Sequence, residues 1–568
     1  MKSNVMLSCL VAAVAVQANA AEIEVSGDIT TSVTWTANNV YNLQGQVFVQ
    51  PGATITIEPG TIVASSAGGS LAVTRGARID CEGTADNPII FTSKTDYNTW
   101  TPANPRGQWR AACNEWGNLT IMGRGFIGKY GNGAPSGNTA SPNPANYALM
   151  EGLTPAGESD ERTRYGGGDD QDDSGSLRYT SFRYGGLVVG LTNELNGLSL
   201  GGIGQQTQID HIEIMNNVDD GIEIWGGKVD LRYFSVWNIG DDSFDLDHGW
   251  RGRGQFGLLV QGYSQNAPSG SGVCDSMIEI DGAAKSDAQP VTTVSLYNMT
   301  LIGQPLSARR AIKFRDNARL QINNSIIMDV GEAVVRNDNS DNEATDGQTG
   351  YGFNGTHTFA QTWTTDFNVY STVNPFTTNP TPAEAYTSLD GGKLSQIRDT
   401  VFFNNASPAA YTEANNRGVF DASNNNVVAT QSPIAGITRG PTQVLTGVAI
   451  QPVIGLDPRA SGDAVTATVP PPPNGFYLPV TYRGAFGPNE NWLCGWTAAS
   501  QYGYSIAPPG GCLAPCPADL DSNRTVGGGD LTIMLGAWGT SGAADLDFSG
   551  SVGGSDLTIL LGAWGNCP

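Results

Sequence analysis

Two windows near the C-terminus carry oxygen-bearing side chains at the spacing of a loop that wraps a cation. Residues 518–539 read ADLDSNRTVGGGDLTIMLGAWG and residues 544–565 read ADLDFSGSVGGSDLTILLGAWG, an offset of 26 throughout. In the first window, loop positions 1, 3, 5, 7 and 12 are Asp519, Asp521, Asn523, Thr525 and Asp530. In the second they are Asp545, Asp547, Ser549, Ser551 and Asp556. Ca2+ takes about six to eight hard oxygens around one point, and a loop of about 12 residues can supply them, with position 7 contributing its backbone carbonyl. An acidic, Gly-rich turn is the plainer alternative, and two copies in register argue against it. The first loop departs from the pattern at position 6, where Arg524 stands in place of the turn-forming Gly that Gly550 supplies in the second. Both loops end on Asp, which is shorter than Glu; with Arg524 added to that, the first site is expected to bind Ca2+ more weakly.

A second set of candidates lies mid-chain. Asp219 opens DDGIEIWGGKVDLRYFSVWNIG and Asp241, 22 residues on, opens DDSFDLDHGWRGRGQFGLLVQG. In a strand, alternate side chains share a face. Ile222, Ile224, Phe244 and Leu246 are therefore expected inward. Glu223, Trp225, Asp245 and Asp247 are expected outward, with His248, Trp250, Arg251 and Arg253 following at once. The catalytic candidates are Glu223, Asp245, Asp247 and His248: paired carboxylates could cleave a sugar held on indole faces. Like charges about 5 Å apart need a cation, an Arg or a shared proton. A structural Ca2+ site or Arg pairing is thus the weightier reading, because any two outward acids on adjacent coils fall at this spacing. The loop from Gly166 to Asp173, GGGDDQDD, reads as a solvated acidic loop or a Ca2+ site. His211 falls in an alternating strand and His357 in a loop. No nucleophilic triad, phosphate loop, zinc motif or nucleotide fingerprint is present.

Both sets need a scaffold. After each C-terminal loop, Leu531, Met534 and Leu535, and then Leu557, Leu560 and Leu561, fall at helical spacing. Each copy is a loop followed by one helix. That duplicated half-EF-hand resembles the type I dockerin family. The resemblance implies that residues 513–568 dock onto a cohesin-type module of a scaffold or onto a surface receptor. Dockerins contact their partner near loop positions 10 and 11, here Gly528-Gly529 and Gly554-Ser555, whose small side chains leave the partner open.

From residue 21 to 468, short apolar runs alternate with Gly, Asn or Asp turns. Leu177-Arg178-Tyr179 returns as Leu231-Arg232-Tyr233, and Leu296-Tyr297-Asn298 and Ile322-Asn323-Asn324 lie 26 apart. A β-type period of about 20–26 residues predicts a solenoid. The fixed Leu and Asn of a leucine-rich repeat are missing, and a propeller needs a period of about 40. The expected fold is mainly β: a right-handed parallel β-helix solenoid with a small α-helical duplicated calcium-loop module at the C-terminus. The opening coils YNLQGQVFVQPGATITIEPGTIVA and LAVTRGARIDCEGTADNPIIFTS, with DDGIEIWGG, GDDSFDLDHGWRGRGQF and YRGAFGPNENWLCGWT, resemble a family of exported bacterial β-helix proteins. That resemblance implies fold and export and fixes no reaction. Asp241-Asp242 and His248-Gly249 are similar to the Asp-Asp and His-Gly blocks of polygalacturonases, whereas Arg310-Ala311-Ile312-Lys313 departs from that family's Arg-Ile-Lys. Residues 469–475 read as a stiff Pro-rich spacer. Residues 476–512 read as a cap on the last coil, where strand edges would otherwise be bare.

The N-terminus sets the compartment. Lys2, an apolar run from Val5 to Val16 and Ala18-Asn19-Ala20 read as a cleavable signal peptide over residues 1–20. No later run of about 18 apolar residues offers a membrane span. The protein is expected to be secreted, extracellular or on the cell surface. A formal net charge of −24 repels nucleic acid and attracts divalent cations. Export permits disulfides; the expected pairs are Cys81–Cys113, Cys494–Cys512 and Cys516–Cys567, with Cys274 left over. The functional expectation is a calcium-binding protein that binds or degrades polysaccharide, by hydrolase or lyase chemistry if it is an enzyme. The carbohydrate link is implied by the dockerin resemblance. The alternative is a non-catalytic adhesin or surface structural protein.

Overall fold

A computed structural model describes residues 21–129, 142–154, 160–190, 193–263, 273–283, 289–306, 309–316, 318–337, 359–367, 380–405, 422–445, 447–467, 469–509, 511–512, 516, 518–521, 525–540, 544–546 and 551–566. The signal-type segment 1–20, His357, Asn523, Asp547, Ser549 and Cys567 lie outside them.

The apolar runs form the rungs of a parallel β-helix with three strand-bearing faces. The first face stacks nine short strands in chain order, from Gln46–Val49 through Leu198–Gly201, Ile222–Trp225, Phe244–Asp247, Ser276–Asp281 and Arg310–Arg315 to Val335–Asn337. Its inward rows are in register: Ile222, Phe244, Ile278, Ile312 and Val335 in one, Leu200, Ile224, Leu246, Ile280 and Phe314 in the other. All are buried. The alternation expected for the Asp219 and Asp241 coils is what the register shows.

The second and third faces are joined at a corner. Gly175–Arg183, Gln208–Asn217, Asp230–Ile239 and Arg253–Val260 are single strands bent there, each paired in parallel with the next. The bend residues Tyr179, His211, Tyr233 and Phe256 have φ of 45°, 52°, 55° and 61°. Left-handed φ is costly for bulky side chains. Ring stacking offsets it: successive centroids lie 4.2, 4.3 and 4.7 Å apart. Later coils use Asn298, Asn324, Asp399 and Asn425 at the same corner, residue types that tolerate this conformation.

The C-terminal part of the expected solenoid differs. Coil strands end at Val427–Val428, and Ile434–Arg439 pairs antiparallel with Val453–Ala460, so the coils stop short of residue 468. The Pro-rich stretch is held against the coils: Asn324 Nδ2 donates to the Val469 carbonyl at 2.7 Å, and Val469 N donates to Asp399 at 3.0 Å. The segment 476–506 runs along the side of the stack and does not close its end. Trp496 meets Tyr179 edge-on at 5.5 Å, Trp492 meets Tyr233 at 5.6 Å, and Tyr482 lies 6.3 Å from Phe256. Glu213 accepts from the amides of Ala498 and Ala499 at 2.5 and 2.9 Å. Tyr482 and Trp492 join Phe256 and Tyr233 in one apolar cluster, and aromatic burial holds the segment there.

Cys494–Cys512 is bridged, with a Cα–Cα distance of 5.4 Å. The expected Cys81–Cys113 bridge is not formed: both are buried thiols. Cys81 points into the coil core with Ile57 and Leu177 as rung neighbours, and Cys113 is outside that core cluster. Cys274 is also a buried thiol. Cys516 is disulfide-bonded; its expected partner Cys567 lies outside the described residues.

The C-terminal repeat forms two short helices, Gly528–Gly536 and Gly554–Gly562. Their shared core repeats at the offset of 26: Ala518 and Ala544, Leu520 and Leu546, Val526 and Val552, Met534 and Leu560. Leu535 and Leu561, expected on the buried face, are exposed. One residue beyond Met534 or Leu560 is a turn of about 100°, which carries them off the contact line. No helix among the described residues is long and apolar enough to cross a membrane.

Candidate functional site

The outward row of the first face changes character along the stack. In register it reads Phe48, Ala72, Thr120, Ser199, Glu223, Asp245, Glu279, Lys313 and Arg336. Three acids thus occupy consecutive rungs, which lie about 4.8 Å apart, and the column ends on bases. Lys313 Nζ and Arg315 meet Glu279 at 2.7 and 2.6 Å. Burial raises the Glu279 pKa, but a hydrogen bond from Asp242 and the charges of Lys313 and Arg315 outweigh it and hold the group below the ordinary range. Among the described residues no base pairs directly with Glu223 or Asp245; Glu223 accepts from Asn196 Nδ2, and the Arg315 charge acts on Asp245 from farther off. Burial, then the neighbouring acids, pushes both well above the usual carboxylate range.

A second acid column runs beside the first, at the corner leading into these strands. Asn196 Oδ1 accepts from Asp220 N at 3.3 Å, Asp220 Oδ1 from Asp242 N at 2.8 Å, and Asp242 Oδ1 from Ser276 N at 2.5 Å. Each side chain caps the next coil. Asp219 and Asp241 flank this column, and Asp275 closes it against Arg309 and Arg310. Burial and then Asp241 raise Asp219 to about 8. Oxygens of Asp220, Glu223 and Asp245 come within 4.8 Å of one another, as do those of Asp219, Asp220 and Asp241 and those of Asp241, Asp242 and Asp275. Such carboxylate triplets fit the hard-oxygen demand of Ca2+.

The expected outward face is covered. Phe48, Ala72, Met122 and Trp225 pack under Ile127, Ala148, Met150, Leu153 and Tyr165, which belong to the long excursion after Leu119–Met122. Sequence reasoning missed Tyr165. Its hydroxyl lies 2.8 Å from His248 Nδ1, and His248 Nε2 lies 3.1 Å from Asp247. Burial, then Lys129, drives the His248 pKa well down, burial raises Asp247 to about 6, and burial, then Asp247, raises Tyr165. Glu151, on the same excursion, is raised to about 7 by burial and then Glu194.

Several residues grouped from the sequence do not converge. Trp250 is buried in the coil core. Arg251 is bidentate to Asp170 at 2.7 and 2.8 Å. Arg253 lies on the second face, paired with Asp230 and set over Phe476. Asp242 and His248 flank opposite ends of Phe244–Asp247, so the pairing suggested by Asp-Asp and His-Gly does not meet in space. Two of the four acids of the 166–173 loop are ion-paired elsewhere: Asp170 with Arg251, and Asp173 with Arg78.

In the C-terminal module, Asp519, Asp521 and Asp530 bring oxygens within 4.8 Å of one another. Asp530 also caps its helix, accepting from Gly527 N at 2.7 Å and from Asp521 N at 3.0 Å. Asp556 repeats the first of these bonds with Gly553 N at 2.7 Å. Asp545 and Asp556 are buried, and Thr525 and Ser551 stand at matching positions before the helices.

No curated protein and no solved structure gives a match to the chain. Residues 27–391 match the pectate-lyase-like β-helix domain, a span that includes both acid columns and Tyr165 and does not reach the C-terminal repeat. With coils, register and well over half the sequence in agreement, the chain belongs to the pectate-lyase-like β-helix domain family.

Proposed function

We propose that the protein is exported, binds polysaccharide with its β-helix in a Ca2+-loaded state, and is tethered through the C-terminal repeat to a cohesin-type module or another surface receptor. The observation that carries this reading is the Glu223–Asp245–Glu279 column beside Asp220 and Asp242, on the first face of a β-helix of this family. Among the described residues no base pairs directly with two of those three acids, which favours a cation there. Asp220, Glu223 and Asp245 would hold one Ca2+. Asp519, Asp521, Asn523, Thr525 and Asp530, and Asp545, Asp547, Ser549, Ser551 and Asp556, would hold the others.

Binding is favoured over cleavage because Glu223 and His248 are each 6% exposed and Tyr165 is 1%, with only Asp245 and Asp247 of the candidates partly exposed. The Tyr165–His248–Asp247 chain is the observation that favours cleavage, since it could relay a proton if the excursion lifted. The test is to mix the full chain and Ca2+ with a panel of polysaccharides, pectins included. Retarded migration in affinity electrophoresis, without release of reducing ends or unsaturated uronides, is expected. Release that is lost in Asp247→Asn would select cleavage. Neither retention nor release would reject both, leaving a non-catalytic adhesin or surface structural protein.

A further inference from the structure

Away from the acid columns, a pocket of 460 Å³ lies at the corner where the first face turns into the second. Its wall includes Arg75, Arg124, Arg162 and the strip Gly166–Gly168, with Glu161 and Asp169 as its acids. Three guanidiniums around one pocket stand out in a chain with 30 Lys and Arg against 54 Asp and Glu. Their states differ. Arg75 is ion-paired with Glu161 and donates to the Gly166 carbonyl at 2.9 Å. Arg162 is held by Asp160 at 2.9 Å and Asp28 at 3.1 Å. Arg124 is exposed; its charge acts on the Asp172 carboxyl, but among the described residues no hydrogen bond or ion pair engages its guanidinium.

The Arg124 terminal nitrogen lies over Gly76, where an added Cβ would come within 2.2 Å. Nor does any acceptor among the described residues meet the backbone N–H of Gly167 or Gly168. The wall acids are already engaged: Glu161 pairs with Arg75 and Arg164, and Asp169 accepts from Gln171 N at 2.9 Å. An unengaged guanidinium fork and successive open amides are donors without an acceptor, the chemistry that recognises a carboxylate or a tetrahedral oxyanion. We propose that this pocket binds an oxyanion carried on a small organic ligand or a sugar unit, as a carboxylate or a sulfate ester. Its volume lies in the range of about 300–1,000 Å³ typical of small-molecule pockets, more than a bare ion needs. The site does not depend on the polysaccharide reading, since a free small acid would fit it equally.

Isothermal titration calorimetry of the full chain with glucuronate, glucose 6-sulfate, inorganic sulfate and glucose tests this. At least one anionic sugar is expected to bind and glucose is not. Glucuronate alone would identify the carboxylate as the ligand group, and glucose 6-sulfate alone the sulfate ester. Arg124→Gln should weaken that binding about tenfold or more, the loss of one charge-assisted contact, while leaving melting unchanged because the side chain is exposed. Binding of neither anionic sugar, binding of inorganic sulfate only, or equal binding by Arg124→Gln would overturn the proposal.

Discussion

With Asp247 ionised, Tyr165, His248 and Asp247 satisfy one another in one protonation pattern. Burial keeps the His248 ring neutral, so it carries a single ring proton. If Nε2–H donates to Asp247, Nδ1 is an acceptor and the Tyr165 hydroxyl must donate to it. Tyr165→Phe would leave Nδ1 buried without a donor, a cost of about 1–3 kcal/mol. A lowered melting temperature at neutral pH is expected, and an unchanged one would show that the bond carries no weight. The same variant separates the two functional readings. Polysaccharide retention should persist if the protein only binds, whereas a proton relay would lose about 100-fold or more in rate. Asp247 and His248 were legible in the sequence because strand alternation puts them on the outward row and the turn after it. Tyr165 was not, because it lies 83 residues away on an excursion with no repeat to place it.

At the scale of the elements, acids on and around the first face share raised pKa values. Asp247 is raised to about 6, Glu151 to about 7 and Asp219 to about 8, chiefly by burial. Unfolded carboxyls titrate near about 4. The native state therefore holds protons that the unfolded chain has released, and stability falls as pH rises through these values. Glu279 acts in the opposite sense: its lowered pKa stabilises above the unfolded value and is lost in acid. In chelator, the melting temperature should peak near about pH 4–5 and decline toward about pH 8; a rise over that range would contradict the assignment. The two nine-residue helices at the C-terminus are too short to persist alone. Residues 513–568 should gain helical circular dichroism with Ca2+ and lose it on chelation. The Cys516 disulfide could mask this by about 4 kcal/mol, so the decisive sample is the reduced one, and an unchanged spectrum there would rule the dependence out. Coil offsets of 22 and 26 made the rungs readable, and the LGAWG repeat made the second helix readable from the first. The lateral course of residues 476–506 was not, because its anchors are remote: Glu213 and Ala498 are 285 residues apart.

For the whole molecule, the solenoid sets the charge problem and its solution together. Stacking identical strand positions aligns Glu223, Asp245 and Glu279 on successive rungs. Among the described residues bases pair only with the last of them, and the excursion bearing Tyr165 and Glu151 covers the apolar rows nearby. That cover could not be read from the sequence, since an outward strand position looks solvated until the segment lying over it is known. The Ca2+-loaded state proposed for the β-helix depends on a cation neutralising the two rungs that no base pairs with among the described residues. A ligand that binds only the folded state stabilises it, by about 2.7 kcal/mol at a hundredfold excess over Kd. The direct measurement is scanning calorimetry of the full chain in Ca2+ and in chelator, for the natural sequence and for Asp220→Asn/Asp245→Asn, which leaves the C-terminal loops intact. Ca2+ should raise the β-helix transition of the natural chain and leave that of the double variant unmoved. An equal Ca2+ shift in both chains, or none in the natural one, would contradict a cation at the acid column.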